Sequence, residues 1–146
     1  MRLPESDDLL LRELAGIYDD ADALHETWNC PMSTECCRPS ITGREPFVTS
    51  IEILAIERAV ARRGGLLAIK ASAPDGACRL LRRDGRCSIY ADRPLGCRTF
   101  YCRQADRGDK VSRRALAELV NRLRDLAVRH RTDGDKPRPL GRVLGA

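Results

Sequence analysis

Three of the chain's seven cysteines lie within sixteen residues, in the stretch Cys87–Cys102, which reads CSIYADRPLGCRTFYC. Half of the six aromatic residues lie there as well. Residues 1–28 show no secretion signal, because acidic residues come first and charges interrupt the apolar run. We therefore expect a cytoplasmic protein whose thiols stay reduced, and the odd number of cysteines argues against a complete disulfide framework. A metal site is the best explanation for thiols at this density.

The seven cysteines together form the candidate ligand pool for that metal. They are Cys30, Cys36, Cys37, Cys78, Cys87, Cys97 and Cys102. Zinc sites and iron–sulfur clusters both take four thiolates, so seven thiols exceed one such site and fall one short of two. A single cluster with spare thiols and a binuclear site with shared or non-cysteine ligands both fit this count. The four that we rank first are Cys37, Cys78, Cys87 and Cys97. Burial as small apolar residues would explain one or two of the seven, but not most of them.

Two details of the spacing bear on the kind of metal. Adjacent Cys36 and Cys37 point in different directions in most backbone conformations, so they reach two metal atoms more easily than one tetrahedral zinc. Arg93 and Arg98 flank Cys97, and their charges would offset those of a four-thiolate cluster, which is anionic. We therefore predict that both arginines belong to the binding site of a cofactor, a 4Fe–4S cluster, with zinc as the alternative. The competing explanation is that they pair with surface acids or with acids of the first helix.

Hydrophobic periodicity predicts a small helix-rich α+β domain over residues 1–132, with two or three helices around a short β-hairpin and the cysteine loops at one end. At 146 residues the chain is long enough for one modest core. Ser6 caps the first helix, which carries an apolar stripe. The stripe is Leu10, Leu14, Ile17, Tyr18, Ala21, Leu24 and Trp28. A stripe of this length favours docking on the chain's own domain over a coiled-coil seam.

Capping and turn signals predict the remaining elements. Thr49–Glu52 is a capping-box pattern, and the helix that it opens should end at Gly64–Gly65. An Asp-Gly pair between two short apolar runs predicts a hairpin over residues 78–90, which would bring two of the cysteines together. A last helix begins at Ser112. Its apolar stripe is Leu116, Leu119, Val120, Leu123, Leu126 and Ala127. Residues 133–146 are dominated by glycine, proline and charge, so we expect a flexible tail.

Charge is distributed unevenly along the chain. Residues 1–28 carry a net charge of −6, and residues 79–131 carry a net charge of +9. The basic segment could face nucleic acid, another acidic surface, or the acidic first helix of the same chain. A solvated basic face with intramolecular pairing is the simplest interpretation. No stretch is apolar enough to span a membrane, so we expect no membrane partner.

The motifs resemble those of the YkgJ-type cysteine-cluster proteins, a family described as zinc- or iron-chelating. The family pattern C-x-I-Y-x-x-R-P-x-x-C-R-x-F is matched in full by Cys87–Phe100. The lone cysteine of the family corresponds to Cys78, and its threonine-led helix begins at Thr49, so the resemblance covers about residues 30–103. Ser33 stands where the opening motif C-x2-C-x2-C-C has its second cysteine. The resemblance implies metal binding, and members of the family are often described as iron–sulfur proteins.

Three classes of function remain open. We favour an iron–sulfur protein that transfers electrons to a protein partner, senses redox state, or serves as a cluster-bearing accessory subunit. The second class is a zinc-stapled module that binds nucleic acid or protein, although few aromatic residues are free to stack on bases. The third is an iron–sulfur oxidoreductase or a SAM-dependent enzyme, since the cysteine pattern is similar to that of flagellin lysine methylases. We lean against an enzyme, because no nucleophile–base signature is present and His25 and His130 suit surface or capping roles.

Overall fold

The structure is a computed structural model that describes residues 6–24, 46–65, 80, 87–98 and 113–144. In chain order its elements are α1 (Asp7–Leu24), β1 (Phe47–Val48), α2 (Ser50–Arg62), a 3-10 helix (Tyr90–Asp92), α3 (Leu95–Arg98), α4 (Arg113–His130), β2 (Arg138–Pro139) and α5 (Leu140–Val143). The predicted class, a helix-rich α+β domain, is confirmed. Within the described ranges, no helix is both long enough and apolar enough to cross a membrane.

Helix α1 buries the apolar stripe that the sequence predicts. The Leu9 N–H donates a hydrogen bond to the Ser6 hydroxyl oxygen at 3.2 Å, which confirms Ser6 as the cap. The stripe packs on α4, α2 and α3, so it is an intradomain surface and not a seam for a partner. It ends at Ala21, because Leu24 in the last turn is exposed. Trp28, the last predicted member, lies outside the described residues.

Helix α2 begins and ends where its signals predict. The Thr49 N–H donates to the Glu52 carboxylate at 3.2 Å as part of a capping box. After Arg62 the chain turns through Gly64 and Gly65, whose φ angles are 94° and 91°. A side chain at either position would be strained in this left-handed conformation, so glycine ends the helix at little cost.

Helix α4 uses most of its predicted stripe and pairs its arginines with α1. Its buried residues are Leu119, Leu123, Leu126 and Ala127, whereas Val120, also a member of the predicted stripe, is 43% exposed. Arg122 lies 2.6 Å from the Asp20 carboxylate, and Arg129 lies 2.6 Å from the Glu13 carboxylate. Acidic residues of α1 therefore form ion pairs with arginines of the basic segment, which agrees with the predicted intramolecular pairing. Because these pairs are exposed, each contributes about 0 to 1 kcal/mol.

The described residues 133–144, where the sequence predicts a flexible tail, include a strand and a helix that pack on the rest of the fold. Strand β2 pairs antiparallel with β1, with Val48 opposite Arg138 and Phe47 opposite Pro139. Helix α5 follows, and Leu140 and Leu144 are each only 3% exposed. Glycine, proline and charge dominate the composition of this segment and led to the prediction of a tail. The segment also contains two leucines spaced four apart, which lie on one face of a helix.

The predicted hairpin over residues 78–90 lies mostly outside the described residues. Its two sides are joined where the Ser88 N–H donates to the Leu80 carbonyl oxygen at 2.7 Å. The Ser88 hydroxyl donates to the same oxygen at 2.6 Å. After Ser88 the chain enters a turn and then the 3-10 helix, so the second run does not continue as a strand to Tyr90. The described sheet is the β1–β2 pair instead.

Buried apolar side chains form two clusters on either side of α2. The first cluster joins the long helices to α3 and consists of Leu10, Leu14, Ile17, Tyr18, Ala21, Ile51, Leu95, Leu119, Leu123, Leu126 and Ala127. The second cluster joins α2 to β1, α5 and the segment before the 3-10 helix, and consists of Val48, Ile56, Ala59, Val60, Leu80, Ile89, Leu140 and Leu144. Cys87 and Cys97 pack against the second cluster. The fold therefore places the two described cysteines on one apolar surface.

His130 joins the end of α4 to the start of α2. Its Nδ1 atom lies 2.8 Å from the Ser50 hydroxyl oxygen, and its side chain is 9% exposed. Burial lowers the pKa of His130, Arg131 acts in the same direction, and Asp7 opposes both. The predicted capping role is thus accompanied by a buried contact with a second helix.

We expect His130 to make the fold sensitive to mild acid. Because its pKa is lower in the folded chain than in the unfolded one, the folded state binds fewer protons, and stability falls as the pH drops below about 6.5. The unfolding free energy of His130→Gln, measured in urea at several pH values, supplies the comparison. The free energy of unfolding of the wild type, minus that of the variant, should decrease from pH 7 to pH 5. The decrease is the effect of titrating one histidine. A difference that stays constant or grows would contradict this assignment.

Candidate metal centre

Cys87 and Cys97 are the candidate ligands that lie within the described residues. Both are half-buried. Cys87 immediately precedes the turn at Ser88, and Cys97 lies in α3. Thiolate sulfur is a soft ligand that suits zinc and iron, and a neighbouring apolar surface limits the access of water to a bound metal. The chemistry and the setting of these two side chains therefore fit a thiolate-ligated metal.

The other five predicted ligands lie outside the described residues. They are Cys30, Cys36, Cys37, Cys78 and Cys102. Ser33, the departure from the family pattern, lies outside as well. In the part of the chain that is described, no group of three or more histidine, cysteine or acidic side chains is placed to hold a metal ion. The full ligand set therefore remains a prediction from the sequence.

The Arg-Pro pair of the cysteine motif starts the helix that carries Cys97. Pro94 is fully buried, and its carbonyl oxygen accepts hydrogen bonds from the N–H groups of Cys97 and Arg98, each at 3.0 Å. Proline fixes its own φ angle, so the chain enters α3 in a restricted conformation. This local geometry sets the direction in which the Cys97 side chain leaves the backbone.

A buried carboxylate holds the first residue of α3. Glu52 is 1% exposed, and one of its oxygens accepts hydrogen bonds from the Leu95 N–H at 2.7 Å and the Tyr18 hydroxyl at 2.8 Å. Its second oxygen accepts from the Thr49 N–H and the Thr49 hydroxyl, both at 3.2 Å. Burial raises the pKa of Glu52, while the bonds from Leu95, Tyr18 and Thr49 oppose that rise. One side chain thus connects α1, α2 and α3.

Arg98 is the second buried polar residue of this region, with a side chain only 4% exposed. Its Nε donates to the Arg93 carbonyl oxygen at 2.7 Å, its Nη1 donates to the Asp22 carboxylate at 2.8 Å, and its Nη2 donates to the Ala91 carbonyl oxygen. Its guanidinium also stacks over the Tyr18 ring at 4.2 Å. Arg98 therefore pairs with an acid of α1, the alternative that the sequence left open, although the pair is largely buried on the arginine side.

Tyr18 lies between the two buried charged groups. It donates to Glu52 from its hydroxyl and supports Arg98 with its ring. Burial raises its pKa well above 10.0, and the charge of Glu52 adds to that rise, so the hydroxyl stays a neutral donor. Arg98 lowers and Cys97 raises the same pKa. Cys97 lies in the chain between Leu95 and Arg98, which bond to Glu52 and Asp22.

Arg93, the other predicted cofactor-binding arginine, is partly buried beside the 3-10 helix. Its guanidinium lies 3.8 Å from the centre of the Tyr90 ring, and its Nε donates to the Tyr90 carbonyl oxygen at 2.9 Å. Asp92, the surface acid nearby, is 3.1 Å from Arg62. These contacts hold Arg93 on the motif segment, and its role toward a cofactor stays a prediction.

Sequence reasoning missed the functional setting of Glu52, Tyr18 and Asp22. Glu52 was recognised as a capping residue, and Tyr18 as part of an apolar stripe, but neither pattern indicated a shared buried network. A tyrosine hydroxyl inside an apolar stripe needs a partner when it is buried, and that requirement was the available signal. For Asp22, no sequence signal distinguished it from the other acids of α1.

The family model described as "Putative zinc- or iron-chelating domain", with the short name CxxCxxCC, matches residues 29–115. The match covers more than half of the chain and includes all seven cysteines. The chain belongs to this family. Neither the curated proteins nor the solved structures contain a match to the chain. Family membership supports metal binding, with zinc and iron as the metals concerned.

Proposed function

We propose that this member of the zinc- or iron-chelating family is an iron–sulfur protein whose cluster is ligated from its seven cysteines. It would transfer electrons to a protein partner, report redox state, or serve as a cluster-bearing accessory subunit. The observation that carries the proposal is the packing of Cys87 and Cys97 against one apolar cluster, with Cys97 between two residues that bond to a buried polar network. Thiols held in packed surroundings suit a resident metal better than a transient one.

Contacts of described residues that neighbour the remaining cysteines in the chain also support the proposal. Asp22 contacts Arg98, and an added Cβ at Gly96 would lie 3.6 Å from the Pro46 side chain. Asp22 and Pro46, which are described on either side of Cys30, Cys36 and Cys37 in the chain, therefore both lie beside α3, the helix of Cys97. Similarly, Leu80, two residues after Cys78 in the chain, is bonded to Ser88, the residue that follows Cys87.

The preference for iron–sulfur over zinc rests on the ligand chemistry. Seven thiols exceed the four of a structural zinc site, and adjacent Cys36 and Cys37 suit a site with more than one metal atom. Arg93 and Arg98 would offset the negative charge of a thiolate-bound cluster. Arg98 already donates to three protein oxygens, so its influence on a cluster would be electrostatic.

The direct test is the metal and acid-labile sulfide content of the full chain purified without oxygen, together with its absorption spectrum. A brown protein with near-equal iron and sulfide supports the proposal. A colourless protein with zinc and no sulfide would replace it with a zinc-stapled module. Protein without either metal would contradict metal binding altogether.

The alternative module that binds nucleic acid receives less support from the fold. Arg122 and Arg129, two arginines of the basic segment, are paired with acids of α1. Binding that weakens steeply with salt would be the sign of such a module.

We expect Cys97→Ser and Cys87→Ser each to abolish stoichiometric metal binding and to melt at a lower temperature than the metal-loaded wild type. Loss of a thiolate ligand removes the metal, and with it the stabilisation that metal binding gives to the folded state. Metal analysis and thermal unfolding measure both effects. Ser88→Ala keeps all thiols and serves as a neighbouring control that should retain metal. Full occupancy in both cysteine variants would remove these two residues from the ligand set.

A further inference from the structure

We propose that Tyr18, Glu52 and Arg98 are positioning residues that fix Cys97 for metal binding. The inference rests on the proposed metal site and adds to it three residues that contribute no thiolate. The contacts that support it are all made by described residues, and they surround Cys97.

Helix α3 is attached to the rest of the fold at its beginning. The Leu95 N–H, two residues before Cys97, donates to Glu52 at 2.7 Å. Helix α3 is only four residues long, so it has little stability of its own and depends on such tertiary bonds. Glu52 is itself held by its capping box and by Tyr18, which prevents it from following any movement of α3.

Helix α3 is also attached to the rest of the fold at its end. Arg98, one residue after Cys97, donates to the carbonyl oxygens of Arg93 and Ala91, so it closes the motif segment on itself. Its bond to Asp22 and its stacking on Tyr18 then fasten that closed segment to α1. Cys97 is therefore bracketed by two buried anchors that meet at Tyr18.

Metal binding requires that a ligand be held in the right orientation. The loss of a group that orients a ligand costs about 10- to 100-fold in metal affinity. A network that only stabilised the core would affect folding but would leave the rate of metal loss unchanged while the protein stays folded. Metal retention in folded variants therefore separates the two roles.

The experiment measures how fast a chelator removes metal from the anaerobically purified full chain. Arg98→Lys keeps the positive charge but cannot donate in three directions from a planar group. Tyr18→Phe keeps the ring beneath Arg98 and removes only the bond to Glu52. We expect metal to leave Arg98→Lys about tenfold faster than wild type. Tyr18→Phe should show a smaller increase, because Glu52 keeps its bond to Leu95.

Two controls accompany these variants, all compared at a temperature where circular dichroism shows native helicity. Arg122→Lys makes the same change in an exposed arginine that also pairs with α1, and it should release metal at the wild-type rate. Leu126→Ala weakens the first cluster and removes none of the hydrogen bonds of the network, and it should also keep the wild-type rate.

Wild-type release rates in both Arg98→Lys and Tyr18→Phe would overturn the positioning role while leaving the metal site intact. Equally fast release from Leu126→Ala would also overturn it, because general destabilisation would then explain the effect. A wild-type chain that contains no metal would overturn the proposed function, and this inference with it.

Discussion

Replacing Glu52 with alanine should lower the free energy of unfolding by about 3 to 5 kcal/mol, which is a large part of the stability of a domain of this size. The carboxylate accepts hydrogen bonds from Leu95, Tyr18 and Thr49, and it is almost completely buried. Its removal leaves buried donors without acceptors, and each such donor costs about 1 to 3 kcal/mol. The small cavity that remains adds to this cost. Urea unfolding at pH 7, at equal metal content, measures the change.

Two substitutions on the same helix sharpen this test. Glu52→Gln retains one acceptor oxygen, so it should cost less than the alanine variant. Glu57→Ala removes an exposed carboxylate from α2 and should change stability by less than about 0.5 kcal/mol. A Glu52→Ala variant as stable as Glu57→Ala would show that the network contributes nothing to the fold.

Ending the chain after Pro137 should destabilise the fold by at least about 4 kcal/mol. This truncation removes β2, and with it the pairing to Phe47–Val48, as well as Leu140 and Leu144, which fill part of the second cluster. Replacing one buried leucine by alanine already costs about 2 to 5 kcal/mol. Because Cys87 and Cys97 pack against the same cluster, metal retention should fall as well. Thermal unfolding and metal analysis of the truncated chain test both effects.

The matched control is Arg142→Ala, which changes an exposed side chain of α5 and leaves both leucines in place. It should behave as wild type. The combined variant Leu140→Ala, Leu144→Ala should reproduce most of the effect of truncation. If the truncated chain melted at the wild-type temperature, the segment would act as the loose tail that its composition suggests, despite its packing.

The sequence determined the elements whose signals are local. Ser6, the capping box at Thr49 and the glycine pair after α2 each act within a few residues of where they stand, so the start of α1 and both ends of α2 could be predicted. Apolar spacing also predicted which faces of α1 and α4 are buried. Val120 lies on the predicted stripe of α4 but is exposed, because periodicity gives the direction of a face but not how much of that face a neighbouring helix covers.

The candidate ligands could also be predicted from the sequence, because the cysteine motif from Cys87 onward is contiguous and its thiols are metal ligands by residue type. The family match over residues 29–115 agrees with that prediction of metal binding. Neither spacing nor composition distinguishes iron from zinc, because both metals accept thiolates from similar loops.

Only the tertiary structure decided what surrounds Cys97. Glu52 meets Leu95 across 43 positions of sequence, and Arg98 meets Asp22 across 76. No local pattern specifies which of the acids in α1 takes the buried arginine, because that choice depends on how α1 and α3 pack. The packing of residues 138–144 on the fold could not be predicted for the same reason. Two leucines become part of a core only when a distant strand and helix provide the other side of it.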